Sequence, residues 1–160
     1  MEIIEFNLDF EKEVKDLLCE LQEYIVLIDE YKLNIITPEY REKYLDITLK
    51  ELSLNNGKMF LAKENSEILG LICGYIYTYE KDDTIDYKCP KKCIISELIV
   101  SSKHRKKGIG QKLVDYIELY FKSLGCEYSQ IDVFAYNKNA KKLYEKNGYS
   151  DRLITMSKKL

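Results

Sequence analysis

Arg105, Lys106, Lys107, Gly108, Ile109 and Gly110 put three cations and two glycines into six consecutive residues, between an apolar run and an amphipathic one. A loop of this kind at a strand-to-helix junction exposes unpaired backbone N–H groups at the positive end of the helix dipole, which favours an anion. Glycines at 108 and 110 let the backbone approach a pyrophosphate closely, and the side chains of Arg105, Lys106 and Lys107 add charge around it. Two common phosphate loops do not fit. A Walker loop ends Gly-Lys-Ser/Thr where this one runs Gly-Ile-Gly-Gln, and the dinucleotide fingerprint needs a third glycine where Leu113 stands. Alone, the spacing Arg-x-x-Gly-x-Gly describes a solvated basic turn equally well.

Its surroundings narrow the reading. The strand-like run Ser96-Glu97-Leu98-Ile99-Val100 precedes it, and Asn137-Lys138-Asn139-Ala140-Lys141-Lys142-Leu143-Tyr144-Glu145-Lys146-Asn147-Gly148-Tyr149 follows it. The loop with its strand resembles the acetyl-CoA-binding motif of the GNAT acetyltransferases. The second block resembles that superfamily's Asn-x-x-Ala-x-x-Leu-Tyr-x-x-x-Gly-Tyr/Phe signature without a gap. Together they cover residues 94–149, about a third of the chain.

The resemblance implies an N-acetyltransferase that takes acetyl-CoA as co-substrate and moves its acetyl group to a primary amine by direct attack. It implies that the backbone of Arg105, Lys106, Lys107, Gly108, Ile109 and Gly110 binds the coenzyme A pyrophosphate. The main chain of Leu98, Ile99 and Val100 is implied to bond the pantetheine arm along a splayed strand, with one N–H polarising the thioester carbonyl. Tyr144 matches the family's proton donor to the departing thiolate, and Asn137 its asparagine beside the cofactor, a residue that also suits a helix N-cap. Glu97, on the strand bordering the thioester, is the candidate base for the acceptor amine; a water chain is the alternative. His104 falls where relatives carry an aromatic residue and suits packing or the surface. An inactive acyl-CoA-binding module with the same fold is the competing reading, and homodimerisation stays open.

The elements that must position these residues can be read from periodicity. Ile3 to Phe6 suggests a first strand. From Asp9, Val14, Leu17, Leu18, Leu21, Ile25 and Ile28 recur at helical spacing. A second helix is expected from Thr37 as N-cap with Pro38 at the first helical position, ending before Asn55-Asn56-Gly57. Met59 to Ala62 and Ile68 to Tyr79 read as a hairpin around residues 64–67, and Cys93 to Val100 as a buried strand. Ile109, Leu113, Ile117, Tyr120, Phe121 and Leu124 form a helical stripe closed by Gly125. A strand at Ile131 to Phe134, a helix at Asn139 to Asn147 and a last strand at Arg152 to Met156 complete the pattern. This order predicts a single α/β domain over residues 1–160, with a mixed, mostly antiparallel central sheet and helices on both faces.

Composition excludes several other classes. No apolar stretch is long enough to span a membrane, and Met1 to Glu5 lacks the basic start of a secretion signal, so a cytoplasmic protein is expected. The five cysteines are odd in number and irregular in spacing, which suits reduced thiols; Cys89 and Cys93 lack the second pair a zinc site needs, so no metal is expected. The net charge of −2 and the pI near 5.6 argue against a nucleic-acid partner. The charge is uneven: residues 1–56 hold 14 acidic and 6 basic side chains, a net −8, leaving +6 for residues 57–160. An acidic front of this kind suits a cationic amine acceptor, although solvated helix faces would look the same.

Overall fold

In the computed structural model, which describes residues 1–160, the apolar runs form one five-stranded sheet whose strands lie in chain order. The strands are β1 (Glu2–Glu5), β2 (Lys58–Glu64), β3 (Glu67–Ile76), β4 (Lys92–Val100) and β5 (Tyr128–Ile131). Neighbours pair antiparallel from β1 to β4, whereas β4 and β5 are parallel. A parallel pair needs a crossover, and α3 (Ile109–Ser123) supplies it; the other helices are α1 (Glu11–Ile28), α2 (Tyr40–Leu54) and α4 (Lys138–Lys146).

Successive strand residues point to opposite faces, and both faces are covered. Val14, Leu17 and Leu18 of α1 and Leu45 and Leu52 of α2 pack on Leu61, Leu71, Cys73 and Ile99. Leu113, Val114, Ile117 and Phe121 of α3, with Tyr144 of α4, pack on Phe60, Ala62, Ile72, Cys93 and Ile95. Burial on both sides explains why Leu71, Ile72 and Cys73 follow one another without a polar residue between them. The predicted mixed sheet with helices on both faces is the observed one.

Three predicted boundaries are corrected. Helix α2 starts at Tyr40 with Glu39 as N-cap, not at Thr37. Thr37 accepts the Tyr40 N–H in a lead-in turn, and the first full-turn bond runs from the Lys43 N–H to the Glu39 carbonyl (3.0 Å). Strand β5 occupies Tyr128–Ile131 and not Ile131 to Phe134: its partners are Lys92 to Ile95, and beyond Ile131 it has no neighbour to bond. Arg152 to Met156 is no strand. The segment is exposed, with Leu153 at 85% and Met156 at 90%, and the sheet ends at β5. Its entry is held elsewhere, by Lys141 of α4 to Asp151 (2.6 Å) and by Arg152 over the Tyr87 ring.

Strand β4 sets up the site. It pairs with β3 from Cys93 to Val100 but with β5 only from Lys92 to Ile95, so its outer edge opens at Ser96. At the same point the register on β3 slips: Ile95 faces Gly74 and Glu97 faces Cys73, leaving Ser96 as an extra residue in a β-bulge. The Ser101 N–H donates to the Leu69 carbonyl (2.9 Å), which sets the phase of the ladder. Ile99 therefore bonds to β3, while Leu98 and Val100 turn their N–H and C=O groups to the open edge.

Candidate active site

The open edge of β4 leads directly into the basic loop. A 3-10 turn at Ser102–His104 carries the chain over the end of the sheet, Lys106 takes a left-handed conformation (φ 64°), and Gly108 caps α3 with φ 76°. That positive φ is the local reason for glycine here. A Cβ on Gly108 would meet nothing within 4 Å, so its outer side is open space. A Cβ on Gly110 would come within 3.2 Å of the Leu143 side chain, so this glycine serves the close packing of α3 on α4. The first amides of α3, from Ile109 onward, have no intrahelical acceptor.

Arg105 is committed within the chain. Its Nε donates to the Val100 carbonyl (3.0 Å), its Nη2 pairs with Glu20 of α1 (3.0 Å), and its guanidinium lies over the Tyr24 ring. Glu20 also accepts the Ser102 N–H (2.7 Å), which ties the loop to α1. Lys106 and Lys107 are exposed. His104 is partly buried and its Nε2 meets Glu67 of β3 (2.8 Å).

Helix α4 is fixed at both ends. The Asn137 side chain caps it by accepting the Ala140 N–H (3.2 Å) and also accepts the Tyr24 hydroxyl (3.4 Å). Asn147 exchanges amide hydrogen bonds with Gln111 of α3, and the Tyr149 hydroxyl meets the Ser129 hydroxyl of β5 at 2.7 Å. Between these anchors Tyr144 is 8% exposed, its ring edge-on to Tyr149. Burial, with the Glu97 carboxylate as second cause, pushes its hydroxyl up to about 12. At neutral pH it keeps its proton. No buried side-chain oxygen or nitrogen of the chain lacks a partner, and the hydroxyl has none within the chain, so it is not sealed into the core.

Glu97 lies on the other side of β4. Leu98 and Val100 pack toward α3 and α4, whereas Glu97 reaches the α1–α2 face and accepts the Tyr44 hydroxyl of α2 at 2.5 Å. The Tyr44 ring stacks on Tyr40 (4.5 Å, 17°). Burial holds the Glu97 carboxyl above its ordinary value; the Tyr44 hydrogen bond works against that rise and the charge of Glu51 adds to it. The Glu97 carboxylate and the Tyr144 ring thus lie on opposite faces of the sheet, and the carboxylate's charge adds to the rise at the Tyr144 hydroxyl.

The structure links the end of the open edge at Val100 to Arg105, and Arg105 through Tyr24 to Asn137, while Glu97 and Tyr144 lie on opposite faces of the sheet. Ile99 is set apart: its main chain belongs to the ladder with β3 and its side chain to the core. Sequence reasoning missed Glu20, Tyr24 and Tyr44. Their contacts lie 53 to 113 residues away, and helical spacing reads Tyr40 and Tyr44 as core positions only. The five cysteines are free thiols, and no group of three or more His, Cys, Asp or Glu side chains is placed to hold a metal ion. No helix is long and apolar enough to cross a membrane.

Known proteins share this fold. A glucosamine 6-phosphate N-acetyltransferase from Arabidopsis thaliana is 37% identical over 70 residues, 44% of this chain and 45% of that protein. The match thus spans less than half of that relative's length. Among solved structures, the tetramutant of BH1408 protein from Bacillus halodurans superposes over the whole of both chains with a TM-score of 0.82 at 21% identity. AAC(6')-Iy, in complex with a bisubstrate analogue, CoA-S-monomethyl-acetylneamine, superposes over 99% of this chain and 98% of its own (TM-score 0.71, 15% identity). The model of the acetyltransferase (GNAT) family matches residues 21–149, from within α1 to the end of the second sequence block. With most of its length matched and the opened sheet in place, this chain belongs to the GNAT acetyltransferase family.

Proposed function

We propose that the protein is an N-acetyltransferase that takes the acetyl group of acetyl-CoA to a primary amine by direct attack, as one domain in the cytoplasm. The observation that carries this reading is the open edge of β4, which loses β5 past Ile95 and runs straight into the start of α3, with Glu97 on one face of the sheet and Tyr144 on the other. A direct transfer needs a proton removed on one side of the carbonyl and supplied on the other, and a sheet parted between the two groups gives each its side.

The residues divide the work as follows. The amides at the start of α3, opened by Gly108 and flanked by Lys106 and Lys107, hold the pyrophosphate of coenzyme A. The backbone groups of Leu98 and Val100 accept its pantetheine arm as a sheet would accept a strand. Leu98 is the first residue past the bulge whose N–H turns to the open edge, so its amide is the donor best placed to polarise the thioester carbonyl. Glu97, approached from the α1–α2 face, takes a proton from the amine as the C–N bond forms. Tyr144 gives its proton to the sulfur as the C–S bond breaks. Asn137 holds the helix that carries Tyr144.

Thiol release measured with acetyl-CoA and a panel of amines tests this: spermidine, an aminoglycoside, free amino acids, glucosamine 6-phosphate and a peptide N-terminus. At least one amine should release coenzyme A well above the amine-free rate. Tight acetyl-CoA binding with no release on any of them would favour the inactive acyl-CoA-binding module.

A further inference from the structure

We propose that Tyr44 of α2 is a positioning residue for the chemistry: its hydroxyl, donating to Glu97 Oε1, holds that carboxylate at the mouth of the open edge in the orientation that receives the amine proton. The proposal rests on the reading of Glu97 as base. It follows from geometry that does not depend on the family. Glu97 is the acidic side chain standing at the bulge where β4 parts from β5, and a half-buried carboxylate with rotatable bonds has no fixed direction unless something holds it. The Tyr44 hydroxyl is its side-chain hydrogen-bond partner.

Tyr44 is itself held. Its ring lies in the α1–α2 packing and stacks on Tyr40, and its carbonyl accepts the Thr48 hydroxyl one turn on (3.0 Å). The hydroxyl is therefore delivered by a helix, not by a mobile side chain. The base is then set by α2, an element outside the loop and the signature block, and shifts of α2 reach the reaction through one hydrogen bond.

Removing that bond has a readable sign. The titratable groups within electrostatic reach of Glu97 are Tyr40 and Glu51 of α2, Cys73 of β3 and, from the other face of the sheet, Tyr144 of α4. Burial holds Tyr40, Cys73 and Tyr144 so far up that they keep their protons through the neutral range. Glu51 is unchanged by a substitution at 44. A hydrogen bond to the ionised carboxylate favours ionisation, so its loss leaves burial and Glu51 to raise Glu97 further.

The test titrates the Glu97 carboxyl by ¹³C NMR in the full chain, wild type against Tyr44→Phe, alongside pH–rate profiles with the amine that gives the fastest thiol release. Tyr44→Phe keeps the ring and its stacking; Tyr44→Met is a second variant without a donor should the first not fold. We expect the Glu97 titration and the acidic limb of the rate profile to move upward together by about 1–2 pH units. In a Glu97→Gln background the same change should move nothing. An unmoved Glu97 titration in Tyr44→Phe overturns the proposal and leaves the base reading intact. A moved titration with a Glu97→Gln rate profile like wild type overturns it from the other side, because Glu97 is then not the base.

Discussion

Tyr144 packs at 8% exposure among α3 side chains, and its hydroxyl has no hydrogen-bond partner within the chain. If the ring serves packing and the oxygen the proposed proton transfer, Tyr144→Phe should separate the two. We expect the fold and acetyl-CoA affinity to persist and kcat to fall by ~10²–10⁴, nearer the lower end because a thiolate is a fairly good leaving group. A kcat within about twofold of wild type would make Tyr144 a packing residue. Glu97 makes the opposite trade. Its folded-state value is raised, so the folded form binds more protons than the unfolded one between the ordinary carboxylate value and the raised one. Stability conferred by that group is present below this window and lost as pH climbs through it. Glu97→Gln should then melt higher than wild type at neutral pH, with the gap closing in acid, while it slows acetyl transfer. A lower melting temperature at neutral pH would show that the burial of its charge is not a net cost.

At the level of elements, the N-terminus of α3 carries the binding reading. Gly108 needs its left-handed φ and has nothing beside it, so Gly108→Val should abolish acetyl-CoA binding in calorimetry, with backbone strain of about 1–2 kcal/mol as the accompanying fold cost. Unchanged affinity in a folded variant would move the pyrophosphate elsewhere. How far the sequence revealed such elements depends on what defined them. Helices α1, α3 and α4 were legible because their apolar stripes and the glycines at 125 and 148 are local signals. The place of β5 differs because a strand is defined by its partner: Ile131, Asp132 and Val133 alternate and Phe134 is apolar, but β4 has already parted from the residues after Ile131. Arg152 to Met156 is no strand for the same reason, a short apolar run with no sheet edge that takes it. The cleft itself was legible only in residues that carry sequence signatures. Tyr44 and Glu20 act through partners distant in sequence, and the bulge at Ser96 is a mismatch between two strands that neither strand shows alone.

At the scale of the molecule, the uneven charge acquires a direction. Helix α1 carries 5 acidic against 2 basic side chains and α2 is balanced at 3 and 3, so most of the acidic excess of residues 1–56 lies outside the two helices that cover the Glu97 face; the basic residues 103–107 lie at the other end of the open edge. Part of the acid is neutralised locally, as in Lys15 with Glu11 (2.7 Å) and Arg41 with Asp16 (2.5 Å). If the remainder steers a cationic amine, its apparent KM should rise between low and physiological ionic strength; a best acceptor that is neutral or anionic, or a KM indifferent to salt, would reduce the asymmetry to solvation. The parted sheet has a further consequence. Past Ser96, Leu98 and the Val100 N–H face the open edge without a strand beside them, and an unfinished strand of that kind is a template on which another chain can assemble. The pantetheine arm would complete it. The coenzyme would then guard solubility as well as supply the reaction, and a protein stripped of it should clump more readily on warming. Amide exchange at Leu98 and Val100 should slow on acetyl-CoA binding while that of Ile99, already bonded to β3, changes little; equal slowing at all three would mean that the whole sheet, and not its open edge, is being tightened.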